Sequence, residues 1–531
     1  MHRLALSTAA GFVLSTTALA DEGMWLPEQI PDVAAELKDM GLALDPAVLA
    51  DPQGPVLGAV VMFGGCSGAF VSPTGLIATN HHCVMRFLQQ NSTGEQDLTR
   101  DGFTAMTQAD ELPAGAGAYV WILEADRDVT AEVLSGIRKS TQDIDRKDIV
   151  DGNRHRLITA CEGDRKDRMC RVSAFDSGAH YRMQTYTQIQ DLRLAYAPGG
   201  RVGDFGGDTD NWMWPRHAGD FALLRAWVAP DGASVAPADD NVPYRPQHWL
   251  RVNADGIQEG DFVMVAGYPG RTSRTSTATT LAFAQDTTYP FRIAVQDDIL
   301  AILHEESAQS DDARARLARP IATLENGSKL SRGMLDNFGR KDVLGQRKTQ
   351  EEALRAWVST DRKRAKVVLP ALAELARIEA VKQGTWESET LVSWLVRGSD
   401  LLDVAMRGWR MASEARKPDA ERDGGYHERD LERHQLHMVS VDQSLWLPAE
   451  KALLFYTLRK VLELEGAVAV PEVDAWVASH GSIDAAVEAL MAAATADGGL
   501  ASLDGREALL KADHQTLMTS TDPWIQLAIA V

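Results

Sequence analysis

The spacing of apolar residues changes period near residue 290, and this change limits the fold more than any other feature of the chain. Before it, short apolar runs alternate with turn chemistry. "AVVMFGG" (59–65), "GAFVSPTGLIAT" (68–79), "AYVWILEA" (118–125), "DFALLRAWVAPDG" (220–232) and "DFVMVAGYPG" (261–270) are such runs. Pro-Thr-Gly at 73–75 and Pro-Asp-Gly at 230–232 read as tight turns between strands. A charged stretch at about 126–160, with widely spaced apolar residues, reads as a helical interruption. After residue 290, apolar residues recur at three- and four-residue steps, as a helix face requires. Leu454, Leu458, Val461 and Leu462 form one such face, and Leu369, Leu372, Leu375 and Ile378 another. Breaks at Arg416–Asp419, Asp423–Gly425 and Gly481–Ser482 divide this part into roughly five to eight helices. The expected class is therefore α+β, with a β-barrel or sandwich at 21–290 and an α-helical domain at 291–531.

Residues 1–20 carry the marks of a cleaved export signal. Arg3 supplies the basic start, Leu4 to Leu19 is mostly small and apolar, and Ala18-Leu19-Ala20 is a small-x-small cleavage site. No other segment approaches the ~20 apolar residues of a membrane span. The formal charge of −21 disfavours non-specific binding to nucleic acid, whose phosphates it would repel. Export also bears on the four cysteines, Cys66, Cys83, Cys161 and Cys170. An even number in an exported chain points to two disulfides, and proximity favours Cys66–Cys83 and Cys161–Cys170. Zinc is the rival reading, although no C-x-x-C spacing is present. A zinc site built on His81 and His82 is disfavoured if the two lie on a strand, where neighbouring side chains point to opposite faces.

The chemistry concentrates in "GGCSGAFVSPTGLIATNHHC" (64–83) and "FGGDTDNWMWPRHAGDFALLR" (205–225). A base suited to neutral pH is most often histidine, and in a serine hydrolase a carboxylate must orient it. The order is a His-Cys pair after a β-run, a partner cysteine one strand earlier, then Asp220 heading an apolar strand. It resembles the chymotrypsin fold. Together with "EGMWLPEQIP" (22–31) and "GYPGRTSR" (267–274), these blocks resemble the bacterial periplasmic dipeptidyl-peptidases 7 and 11. That resemblance implies a chymotrypsin-like double barrel with a helical lid, no cofactor, and removal of dipeptides from the free amino terminus of oligopeptides. It also implies a periplasmic protein and a homodimer.

Carried over to this chain, the resemblance makes His82 the general base and His81 a packed or hydrogen-bonded neighbour. Asp220 becomes the orienting carboxylate in preference to Asp208 or Asp210. Asn211, Trp212 and Asn326 become a clamp for the substrate's terminal ammonium. For Trp212 the competing role is core packing, and for Asn326 a helix cap or turn. The nucleophilic serine is expected in a Gly-Asn-Ser-Gly or Gly-Asp-Ser-Gly turn late in the chain. Gly327-Ser328, Gly398-Ser399 and Gly481-Ser482 are not followed by glycine. Gly65-Cys66-Ser67-Gly68 precedes the histidines and belongs to the expected first barrel, so Ser67 is a decoy. The expectation is a serine in a further carboxy-terminal segment, an incomplete second barrel, and a chain inactive alone. The runner-up is a non-catalytic periplasmic peptide-binding relative.

Overall fold

The computed structural model describes residues 24–531 except 116, 139 and 271–275. The signal at 1–20 and the last four residues of "GYPGRTSR" lie outside the described residues. The β-rich part forms one antiparallel sheet of eleven strands. They are β1 (Val60–Phe63), β2 (Cys66–Phe70), β3 (Leu76–Thr79), β4 (Phe103–Thr104), β5 (Leu112–Pro113), β6 (Val120–Asp128), β7 (Arg168–Phe175), β8 (His180–Ile189), β9 (Asp191–Ala197), β10 (Ala222–Val228) and β11 (Val242–Pro243). The path runs β4-β9-β10-β3-β2-β1-β6-β8-β7, with β11 on β10 and β5 on β9. β8 ends at Ile189 and β9 begins at Asp191, yet five strands separate them in the sheet. A one-residue link can join them only if the sheet curls until its two sides meet, which is a barrel.

Local chemistry explains the tight hairpin at the front of this sheet. Gly64 and Gly65 lie at φ 48° and 89°, the left-handed pair that a two-residue hairpin needs between β1 and β2. Alternate residues of β10 (Ala222, Leu224, Ala226) are fully buried, and they meet Val61, Phe70, Ile77, Val120, Ile189 and Leu194 in one core. Helix α1 (His81–Asn91) leaves β3 and packs Val84, Phe87 and Leu88 into the same core. Each side chain so buried contributes roughly 1.5–3 kcal/mol. The disulfide Cys66–Cys83 ties the first turn of α1 to the start of β2. Its sequence neighbour Cys161–Cys170 ties α2 (Asp143–Glu162) to β7.

Three expectations shift. The helical interruption is shorter than 126–160, because β6 runs on to Asp128 and pairs with β8. The run 261–270 forms no strand; Val263 and Val265 are exposed and no described strand pairs with it. An apolar run becomes a strand only where its backbone finds a partner. Helices begin at Ala278 rather than near 290, and thirteen α-helices follow among the described residues. The excess comes from short helices started by caps such as Ser482, Ser502, Asp513 and Asp522, which texture alone does not resolve.

The long elements of the helical part include α3 (Tyr289–Ser307), α4 (Asp311–Lys341) and α5 (Arg362–Arg397). Leu454, Leu458 and Val461 are fully buried in its main core, as the periodicity predicts. The stripe Leu369, Leu375 and Ile378 instead lies exposed on α5, since a period does not tell which way a stripe faces. Among the described residues, no helix is long and apolar enough to cross a membrane.

His81 anchors the start of α1. It is 1% exposed, and its ring lies so close to Gly203 that a Cβ there would overlap it. Burial lowers its pKa below the usual 6.5, against the opposing pull of Asp220 and the Pro198 carbonyl. Its Nε2 is buried with no hydrogen-bond partner, so charging this ring would be costly. Gly203→Ala is expected to cost about 1–3 kcal/mol by overpacking, measured by chemical denaturation of the purified chain. A folded value below the unfolded one means that neutral His81 stabilises the fold above pH 6.5. That contribution drains away as the pH falls below 6.5 toward the folded value, so the midpoint should drop over that interval. His81→Leu should flatten this slope. A slope equal to that of the parent would assign the acid sensitivity elsewhere.

Candidate active site

His81 and His82 do not lie on a strand; they are the first two residues of α1. The strand argument against a shared metal therefore does not apply, but the helix separates the two rings just as well. His81 points into the protein and His82 outward, with 67% of its side chain exposed. Cys66, His82 and Cys83 are close enough to suggest a metal cluster, but the two sulfurs are bonded to each other and offer no thiolate.

Asp220, two residues before β10, reaches this helix end across 138 positions of sequence. Asp220 Oδ1 accepts from the backbone N–H of His82 at 3.1 Å, and Oδ2 lies 2.8 Å from His82 Nδ1. Asn80 donates from Nδ2 to the Asp220 carbonyl at 3.1 Å and to Oδ2 at 3.3 Å. Asn80 occupies the N-cap of α1 but makes no side-chain cap bond. Asp220 fills that role from a distance, satisfying one of the free N–H groups of the first turn. Burial raises the Asp220 pKa, but the bonds from the His82 backbone, the His82 ring and Asn80 outweigh it. The carboxyl lies below its usual range.

The second cluster joins the two parts of the chain. Asn326 lies inside α4, not at a cap or turn. Its Oδ1 accepts from Asn211 Nδ2 at 2.5 Å and from Trp212 Nε1 at 2.7 Å. Trp212 is 55% exposed, so it is not a core residue, and its φ of +61° is in the left-handed region. Behind Asn326, Gly327 leaves room for Gln296, whose Nε2 would lie 2.7 Å from a Cβ. The two Asn and the Trp therefore meet as the sequence blocks imply.

The competing residues are placed elsewhere. The Ser67 hydroxyl accepts from the backbone N–H of Tyr268 at 2.7 Å and is held beneath the 267–268 turn. Asp210 is folded against Gly206. Among the described residues, Asp220 is the carboxylate bonded to the His82 ring. Sequence reasoning missed Asn80, which orients Asp220, and Lys329, which reaches the loop before Asn211 from α4. The signal for Asn80 was present, a cap-type residue directly before His-His-Cys. Lys329 had none.

The chain is 36% identical over 534 residues to the Asp/Glu-specific dipeptidyl-peptidase of Shewanella putrefaciens, covering 100% of this chain and 71% of that protein. It is 33% identical over 442 residues to dipeptidyl-peptidase 7 of Porphyromonas gingivalis, covering 82% of this chain and 60% of that one. The structure is similar to the crystal structure of Porphyromonas endodontalis DPP11 in complex with the dipeptide Arg-Glu. The TM-score is 0.73 at 28% identity, over 96% of this chain and 73% of that one. The family described as Peptidase S46 matches residues 20–531, so the chain belongs to the peptidase S46 family.

Proposed function

We propose that this chain carries the base, its orienting carboxylate and the amino-terminus clamp of an exported serine-type dipeptidyl-peptidase. The observation that carries the reading is the 2.8 Å contact between His82 Nδ1 and Asp220 Oδ2. With Nδ1–H donated to Asp220, Nε2 keeps its lone pair and faces outward, ready to take a proton from a hydroxyl nucleophile. Asp220 then stabilises the imidazolium until the proton passes to the leaving amine. The nucleophile is assigned to a Gly-x-Ser-Gly turn in a segment beyond Val531, whose backbone N–H groups would form the oxyanion hole. Relative length supports this, since the chain spans 71% of the Shewanella protein and 60% of the P. gingivalis one.

The Asn-Trp-Asn cluster counts off two residues. Because Asn326 Oδ1 already accepts two bonds, the Asn211 amide is fixed by its Nδ2 and is left with its own Oδ1 to offer. An amide oxygen accepts from a substrate α-ammonium without placing a full charge in the site. The exposed face of Trp212 adds a cation–π attraction of roughly 0.5–2 kcal/mol. A peptide held there by its terminus offers one peptide bond to the base, which is the positional selectivity a dipeptidyl-peptidase needs. The relatives carry two different names at 36% and 33% identity, so the likeness supports dipeptide removal rather than one side-chain preference. The two disulfides and the signal at 1–20 support export to the periplasm.

The test uses the purified full-length gene product and a fluorogenic dipeptidyl amide. His82→Ala and Asp220→Asn should each lower kcat by about 10⁴-fold. Asp220→Asn keeps an oxygen for the His82 N–H and should unfold like the parent, whereas Asp220→Ala should lose a further ~1 kcal/mol with the cap. Undiminished turnover in His82→Ala would sink the reading. The clamp is tested by calorimetry with an unblocked tripeptide and its N-acetylated twin, and acetylation should weaken binding by at least about tenfold. Equal affinities remove the clamp, and strong binding without turnover in the full-length product assigns the chain to peptide binding instead.

A further inference from the structure

Lys329 stands three residues after Asn326 on α4, so the two side chains share one face of the helix. Both reach across to the same loop. Asn326 takes the side chains of Asn211 and Trp212, while Lys329 donates from Nζ to the backbone carbonyls of Asp208 and of Thr209, the latter at 2.9 Å. Those carbonyls belong to the short helical turn Gly207–Asp210, which runs directly into Asn211 and Trp212. Within that turn, Asp210 N–H bonds to Gly206, Asn211 N–H to Gly207, and Met213 N–H to Asp210. The carbonyls of Asp208 and Thr209 thus lie in the terminal group that a helix leaves without backbone donors, and a lysine at that end is a favourable cap.

We propose that Lys329 is a positioning residue for recognition of the substrate's amino terminus, a role that rests on the dipeptidyl-peptidase reading above. It caps the 207–210 turn from the helical part of the chain and so fixes the strained loop that presents Asn211 and Trp212. Trp212 is a non-glycine residue at φ +61°, a conformation that persists only where its surroundings over-determine it. Asn326 holds the loop from its side chains and Lys329 holds it from its backbone. With Lys329 removed, the two carbonyls turn to water, the turn loosens, and Asn211 Oδ1 is no longer held where an ammonium would meet it. The bond-making groups at His82 and Asp220 are untouched, so binding should suffer and the chemical step should not.

The experiment compares Lys329→Met, which keeps the apolar stem, with Lys329→Arg, which keeps a cationic donor, in the full-length gene product. Hydrogen exchange at the amides of Asp210, Asn211 and Met213 should speed up about tenfold in the Met variant and stay near the parent rate in the Arg variant. On an unblocked dipeptidyl amide, the Met variant should raise KM about tenfold with kcat within about twofold of the parent, and the Arg variant should recover most of the loss. Unchanged exchange in Lys329→Met overturns the proposal, as does faster exchange with a parental KM, or a fall in kcat alone. A parent enzyme without dipeptidyl turnover would refute the underlying reading instead, and the exchange measurement still decides whether Lys329 holds the loop.

Discussion

The site depends on one carboxylate that serves two masters. Asp220 closes the first turn of α1 through the His82 backbone and orients the His82 ring through its second oxygen. The helix end favours a negative charge there, and the charge in turn fixes the ring. Moving the carboxylate would uncap the helix, so the ring geometry is protected by a structural cost rather than by the ring's own contact alone. The same turn is held from two further sides. Cys83 bonds it to β2, and His81 wedges it against Gly203. Three independent restraints within three residues hold the His82 backbone, and the second Asp220 oxygen restrains the ring as well.

The restraints on the second cluster come from elsewhere, and the difference is instructive. Asn211 and Trp212 belong to the β-rich part, whereas Asn326 and Lys329 belong to α4. A cluster divided in this way forms only when the helical part lies against the barrel. The Asn-Trp-Asn contact and the seating of the helices therefore depend on one another. A peptide that contacts Asn211 and Trp212 meets a surface whose shape α4 has already set.

Much of this was legible in the residues. The two short-loop disulfides and the buried face of Leu454, Leu458 and Val461 follow from local chemistry that tertiary packing had no cause to override. The pairing of His82 with Asp220 was reachable because each heads or ends a β-run in a recognisable block. What escaped has a common cause. The run at 261–270 reads as a strand from its composition, but strand formation depends on a partner the local sequence does not name. The histidines read as strand residues because they continue directly from the β-run ending at Thr79; Asn80 sits at the cap position, but the bond to the first turn comes from Asp220, 138 residues later. The start of the helical part at Ala278 was hidden by a Thr- and Ala-rich stretch with little charge contrast. Lys329 is invisible to any local reading, because its bonds go to backbone atoms of a distant loop.

Exposure sets the remaining requirement. With 67% of the His82 side chain and 28% of Asp220 open to water, solvent screens the attraction between imidazolium and carboxylate to a small value. The geometry of the pair is therefore in place while the electrostatic part of its attraction is not. That part grows only when water leaves the cleft and the effective dielectric falls. An imidazole this exposed gains strength as a base only where a ligand displaces the water around it.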